Sequence, residues 1–151
     1  MWAEDGRCEV KALEAIDFAT GGCLCGLVTY RLAKPPHLTA ICHCTHCQKQ
    51  SGAAFSVNLV VQAADLVIIG EMASFEDRSE SGNVLHRRFC LTCGSPIITA
   101  PVNNPDIVYL KAGTLNDTSR IAPTVQIWCV SAQPWWPPST MLAAFDRNMS
   151  V

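Results

Sequence analysis

Seven of the nine cysteines fall into three tight groups: Cys23-Leu24-Cys25-Gly26, Cys42-His43-Cys44-Thr45-His46-Cys47 and Cys90-Leu91-Thr92-Cys93-Gly94. Thiolates one or two residues apart reach a single ion from one tight turn, as zinc requires with tetrahedral sulfurs about 2.3 Å away. Gly26 and Gly94 directly follow their second thiolates, where a knuckle needs a positive φ and close backbone approach. Such spacing suits a structural disulfide poorly, because bridged Cα atoms lie about 4.4–6.8 Å apart with a fixed dihedral, and the odd total cannot pair completely. A redox Cys-x-x-Cys stands alone between a strand and a helix, and the Cys-x-Cys spacing does not match ferredoxin runs. Metal binding is the chemistry to which these residues point.

Seven thiolates divide into four plus three. A closed four-thiolate set suits structural zinc, and three ligands with an exchangeable fourth position suit a catalytic one. Cys42, Cys44 and Cys47 form the only triple and so the candidate open site, leaving Cys23, Cys25, Cys90 and Cys93 as the closed one. Two zinc ions per chain follow, the ion of the open site being the one more readily lost on isolation. His43 and His46 lie within the triple. Either one completes it as a fourth ligand, making both sites structural, or they orient a bound species and carry protons. Cys8 and Cys129 have no close partner and read as small hydrophobes, while His37 and His86 have no motif around them.

The elements that must position these groups are mostly short strands. Phe55–Val61 alternates with period two, and Val28–Leu32 does the same before the Pro35-Pro36 stop. Leu66–Ile69, Val84–Phe89, Pro96–Thr99, Ile107–Lys111 and Pro123–Val130 read as further strands between turn residues. Helix is expected only near Glu9–Phe18, where Val10, Leu13 and Ile16 recur, and as a short turn after Cys47. Glu76–Asn83 reads as one exposed loop with solvated charges.

The chain has 151 residues, a net charge of −2 and 49% hydrophobic residues against 16% charged, enough to build a core. We expect one zinc-binding domain over 1–151. The missing basic field speaks against nucleic-acid binding, and Leu59–Ile69, broken by Gln62 and Asp65, is too short for a membrane helix. The start Met1-Trp2-Ala3-Glu4-Asp5-Gly6-Arg7 does not look like a secretory signal, so a cytoplasmic, thiol-reducing location is expected.

Gly21-Gly22-Cys23-Leu24-Cys25-Gly26 with Val28 and Tyr30, Cys42-His43-Cys44 with Cys47 and Gly52, and Phe89-Cys90-Leu91-Thr92-Cys93-Gly94-Ser95 together resemble the glutathione-dependent formaldehyde-activating enzyme family, which includes centromere-protein-V-like members. Gly113-Thr114-Leu115 with Asp117, and Pro134-Trp135, look like its closing elements. Asn116 stands where an aspartate is common. The resemblance runs from about Gly21 to Trp136, leaving residues 1–20 as an N-terminal extension. It implies a mainly β fold, a zinc-containing β-tent of antiparallel sheets with few short helices. It also implies structural zinc on Cys23, Cys25, Cys90 and Cys93 and catalytic zinc on Cys42, Cys44 and Cys47.

The implied activity is that of a carbon–sulfur lyase: reversible joining of glutathione, or another small thiol, with formaldehyde or a related carbonyl compound to give S-(hydroxymethyl)glutathione. Arg87, Arg88 and Lys49, near the metal groups in sequence, are candidates for the glutathione carboxylates. Phe55, Phe89, Trp128, Trp135 and Trp136 are candidate pocket aromatics, and Trp135-Trp136-Pro137-Pro138 is suited to capping an apolar face or a homodimer interface. The competing reading is a non-catalytic module in which both zincs are structural and the β-surface recruits a protein partner.

Overall fold

The computed structural model describes residues 17–149. The helix expected near Glu9–Phe18, and Cys8, lie outside this range except for the last two residues of that helix, which are not helical. A three-stranded sheet contains β1 (Ala19–Gly22), β2 (Thr29–Leu32) and β5 (Leu66–Ile69), with β2 in the middle and both pairings antiparallel. An eight-stranded sheet contains β3 (Leu38–Cys42), β4 (Ser56–Gln62), β6 (Met72–Arg78), β7 (Val84–Cys90), β8 (Pro96–Pro101), β9 (Ile107–Lys111), β10 (Val125–Ile127) and β11 (Ala143–Ala144). Its order is β11-β10-β3-β4-β9-β8-β7-β6. The fold is thus mainly β, with sheets that do not close. Pairing is antiparallel except where β10 joins β3 and β11 in parallel.

Alternation along the strands builds two surfaces. Leu59 and Val61 of β4, Ile98 of β8, and Val108 and Leu110 of β9 meet Val28, Tyr30 and Leu32 in the core between the sheets. Each large aliphatic side chain fully buried there contributes about 1.5–3 kcal/mol. The intervening residues Asn58, Thr99, Tyr109 and Lys111 face the other way and line a cleft. Gly21 has to be glycine, since a Cβ there would collide with the Tyr30 hydroxyl and the Thr114 carbonyl. The Tyr30 hydroxyl in turn bonds Thr114 Oγ1 at 2.8 Å, locking the Gly113-Thr114-Leu115 segment under β1.

Two expectations need correction. Glu76-Asp77-Arg78 is not loop but the end of β6, and Asp77 is buried because its carboxylate accepts hydrogen bonds from His46 and from Arg87 on β7. The strand expected over Pro123–Val130 is confined to Val125–Ile127, because Trp128 takes a left-handed φ of 57° and turns the chain into the 3-10 turn Cys129–Ser131. The short helix expected after Cys47 is α1 (Thr45–Ser51), which starts before that residue and ends at Gly52 with φ 67°.

Candidate functional site

Two turns bring the first cysteine group together. The β1–β2 turn closes with Gly26 N–H donating to the Cys23 carbonyl at 3.1 Å, and Gly26 has φ 80°. The β7–β8 turn closes alike, with Gly94 N–H on the Cys90 carbonyl at 3.0 Å and φ 73°. Ser95 Oγ accepts from the Leu24 N–H at 3.0 Å and so joins the two turns. The Sγ atoms of Cys23 and Cys25 lie 3.5 Å apart, and those of Cys25 and Cys90 3.7 Å apart. Four sulfurs at tetrahedral zinc would be about 3.8 Å apart, so the set fits a metal ion of that size. The Val28 N–H donates to Cys23 Sγ at 3.2 Å, an interaction suited to a thiolate.

Cys42, Cys44 and Cys47 form the second group, with sulfurs within 4.8 Å of one another. Cys42 ends β3, Cys44 caps α1, and Cys47 sits in its first turn, its N–H donating to Cys44 Sγ at 3.3 Å. All three are buried, yet all three line a cleft of about 380 Å³ on the outer face of the large sheet. Three converging thiols at the end of an open cleft fit an ion with one position left for a ligand. Among the described residues, no disulfide forms within either group.

Electrostatics around the triad are uneven. Hydrogen bonds from the Cys42 and Cys44 thiols, helped by the nearby Lys111 and Arg87 cations, hold the Cys47 thiol far below its ordinary value. Bonds with Cys44 and Cys47, together with burial, push Cys42 up. Lys111 is only 6% exposed, and its Nζ donates to Asn58 Oδ1 at 2.8 Å and Ser56 Oγ at 3.3 Å. Burial pulls this lysine down from its ordinary range, and the neighbouring thiols oppose that pull. Arg87 is buried as well, its Nε donating to Asp77 Oδ2 at 2.7 Å, while His46 Nδ1 donates to Asp77 Oδ1 at 2.8 Å. Burial pushes the Asp77 carboxyl up, but the Arg87 and His46 bonds outweigh it and hold it below 3.8.

Neither histidine of the triple lines the thiol cleft. His43 is 2% exposed; its Nε2 meets Gln126 Oε1 at 3.4 Å and its ring packs edge-on against Phe55. Burial lowers its affinity for a proton. His46 and Lys49 face a separate pocket behind Asp77 and Arg87. Arg87 lies in the thiol cleft, whereas Arg88, next along β7, is exposed. Of the candidate aromatics, Trp128 alone lines the cleft, and Trp135 and Trp136 are exposed. Asp77, Lys111, Asn58 and Thr99 were not foreseen. The period-two pattern of Phe55–Val61 did put Asn58 on the face away from the apolar one, and Lys111 and Thr99 end strands expected from the sequence.

The sequence pattern of the glutathione-dependent formaldehyde-activating enzyme matches residues 18–131, from the residue before β1 to the 3-10 turn after Trp128. This chain belongs to that family. Both cysteine groups of this family member lie inside the matched stretch, as do the cleft cations Arg87 and Lys111. The crystal structure of a Rhodobacter sphaeroides protein is similar, with a TM-score of 0.51 and 18% identity over 69% of this chain and 91% of that one, so the two share a fold. No curated protein matches the chain. Among the described residues of this family member, no helix is long and apolar enough to cross a membrane.

Proposed function

We propose that this family member is a zinc-dependent carbon–sulfur lyase that reversibly joins a thiol, glutathione in the family's name, with formaldehyde or a related carbonyl compound to give an S-(hydroxymethyl) thiol. The observation that carries this reading is the inequality between the two cysteine groups. The triad opens into a 380 Å³ cleft, and none of Cys23, Cys25, Cys90 and Cys93 lines it. In this reading the four-cysteine group is structural and the triad is the reaction site. A thiolate-held zinc would supply affinity for sulfur and Lewis acidity, easing loss of the substrate thiol's proton.

The protein's own groups account for the remaining requirements. Lys111 and Arg87 flank Cys47 and offset the negative charge that thiolates bring into a buried place. Asp77 fixes the Arg87 guanidinium by its Nε, and His46, bonded to the other carboxylate oxygen, keeps Asp77 in place. His46 is thus a positioning residue, acting on the cleft through Asp77 and Arg87. His43 has a similar role: its N–H donates to the Ile127 carbonyl at 3.0 Å and its carbonyl accepts from Gln48 Nε2, fixing the backbone between Cys42 and Cys44. The open cleft lets water carry protons to and from the hydroxymethyl oxygen.

The test is native mass spectrometry of the full chain, followed by exchange spectroscopy of thiol and ¹³C-formaldehyde. We expect two zincs per chain, a thiol-dependent adduct on one of them, and faster interconversion of free and hydroxymethylated thiol. Two zincs that ignore every thiol, with interconversion at the rate of buffer, would overturn the assignment and favour the non-catalytic module.

A further inference from the structure

Joining a thiol to a carbonyl compound needs a group that answers the charge on oxygen. When sulfur adds to the carbonyl carbon, negative charge gathers on an oxygen only two bonds from that sulfur. A donor that serves this oxygen must stand beside the cysteine triad, not at the cleft mouth. A cation gives most there, because the charge it meets is absent from the separate substrates and present in the transition state.

Strand register places Lys111 at that position. Cys42 of β3 pairs with Ser56 of β4, and Asn58 of β4 pairs with Lys111 of β9. Cross-strand partners on one face have Cβ atoms about 4.5–5.5 Å apart. The Lys111 side chain reaches over this face, its Nζ donating to Asn58 Oδ1 at 2.8 Å and to Ser56 Oγ at 3.3 Å. The ammonium therefore lies beside the register partner of Cys42, and its charge acts on all three thiols of the triad. Lys111, Asn58 and the triad line the same cleft.

Its bonding leaves this ammonium free to act. Both of its acceptors are neutral oxygens, whereas Arg87, the other cation on the cleft wall, has a carboxylate counterion in Asp77. The Ser56 hydroxyl donates its own hydrogen to Asn58 Oδ1 at 3.2 Å and so accepts from Lys111. An ammonium has three N–H groups; two are used here, and the third has no partner among the described residues. Lys111 is buried, so its charge acts where water screens it little.

We propose that Lys111 is a catalytic residue whose unpaired N–H and positive charge stabilise the alkoxide formed as the thiol adds to the carbonyl compound. This inference rests on the thiol–carbonyl reading above and deepens it. The sulfur lone pair forms the new S–C bond, the carbonyl π pair moves to oxygen, the thiol proton leaves to water, and water returns one proton to that oxygen. Lys111 keeps its own protons throughout and holds the oxygen while the charge is on it. In the reverse direction the same contact serves the alkoxide before the S–C bond breaks.

The test uses the full chain at saturating zinc. Each variant is read for zinc per chain by native mass spectrometry, for glutathione affinity by calorimetry without aldehyde, and for kcat of hydroxymethyl exchange between glutathione and ¹³C-formaldehyde. Lys111→Met should keep both zincs and, at saturating glutathione, lower kcat about 100-fold in addition to any loss of affinity. Asn58→Asp keeps the lysine but gives its ammonium a carboxylate counterion, and should lower kcat about tenfold with both zincs retained. Either variant that keeps both zincs and exchanges within about twofold of wild type would overturn the role of Lys111 and spare the thiol–carbonyl reading. Loss of a zinc from both variants would also overturn it, making Lys111 a support of the metal group instead. A wild-type chain that does not accelerate the exchange would defeat both proposals.

Discussion

Replacing Asp77 by alanine tests whether the β6–β7 ion pair holds the cleft wall. The Arg87 side chain is 5% exposed and the Asp77 side chain 9%, so the variant leaves a guanidinium in a nearly dry place without its carboxylate. Removing one member of a buried pair costs about 3–5 kcal/mol, most of it from the orphaned charge. For a chain of this length a kcal/mol moves the melting temperature by about 2–4 °C, so the expected drop is about 6–20 °C. Thermal unfolding must be followed at fixed free zinc, because metal loading shifts the midpoint by itself. Asp77→Leu combined with Arg87→Met should recover most of the loss, since no buried charge remains.

Acid adds a sign check. A carboxyl lowered in the fold contributes in full above its ordinary value of 3.8 and loses that contribution as pH falls through the lower folded value. The gap between wild type and Asp77→Ala should therefore be constant above about pH 4 and narrow below it. A single variant within 1 kcal/mol of wild type, or a double variant worse than the single, would refute the reasoning.

Further outcomes follow from the same structure. Cys90→Ser should remove one zinc per chain and unfold the protein, because structural zinc contributes about 10–16 kcal/mol; Cys47→Ser should keep the far-ultraviolet spectrum of the fold while abolishing hydroxymethyl exchange, both read on one preparation. Lys111→Met should weaken thiol binding about tenfold by calorimetry and lower stability in denaturant melts at fixed free zinc, since it removes a cation beside buried thiolates. Gly70→Ala should cost at least about 2 kcal/mol in urea unfolding, because Gly70 has φ 112° and a Cβ there would meet the Leu27 carbonyl.

Much of this architecture could be read from local pattern. β2, β4, β5, β7, β8 and β9 follow runs of apolar residues alternating or bounded by turn residues, and the cysteine spacing alone separates a group of four cysteines from a group of three. What local pattern misses has a physical cause. Glu76-Asp77-Arg78 looks like solvated charge because the partners that make Asp77 buriable lie ten residues ahead at Arg87 and 31 residues behind at His46. Lys111 follows the same logic. Alternation says that it faces outward from the sheet, but only the neighbouring triad and Asn58 turn that outward face into the wall of a cleft. β11 is two residues long and depends wholly on β10 for its pairing, so no pattern of its own marks it.

The two cysteine groups differ in one respect that matters on the ribosome. Cys25 and Cys90 meet across 65 positions of chain, whereas the triad is complete within Cys42–Cys47. At about 5–20 residues per second, the second half of the four-cysteine set emerges roughly 3–13 s after the first. On the proposed assignment, the triad has all its cysteines before the set that joins the two sheets, so the nascent chain would meet the cell's zinc supply in the reverse of the order in which the finished protein would depend on it.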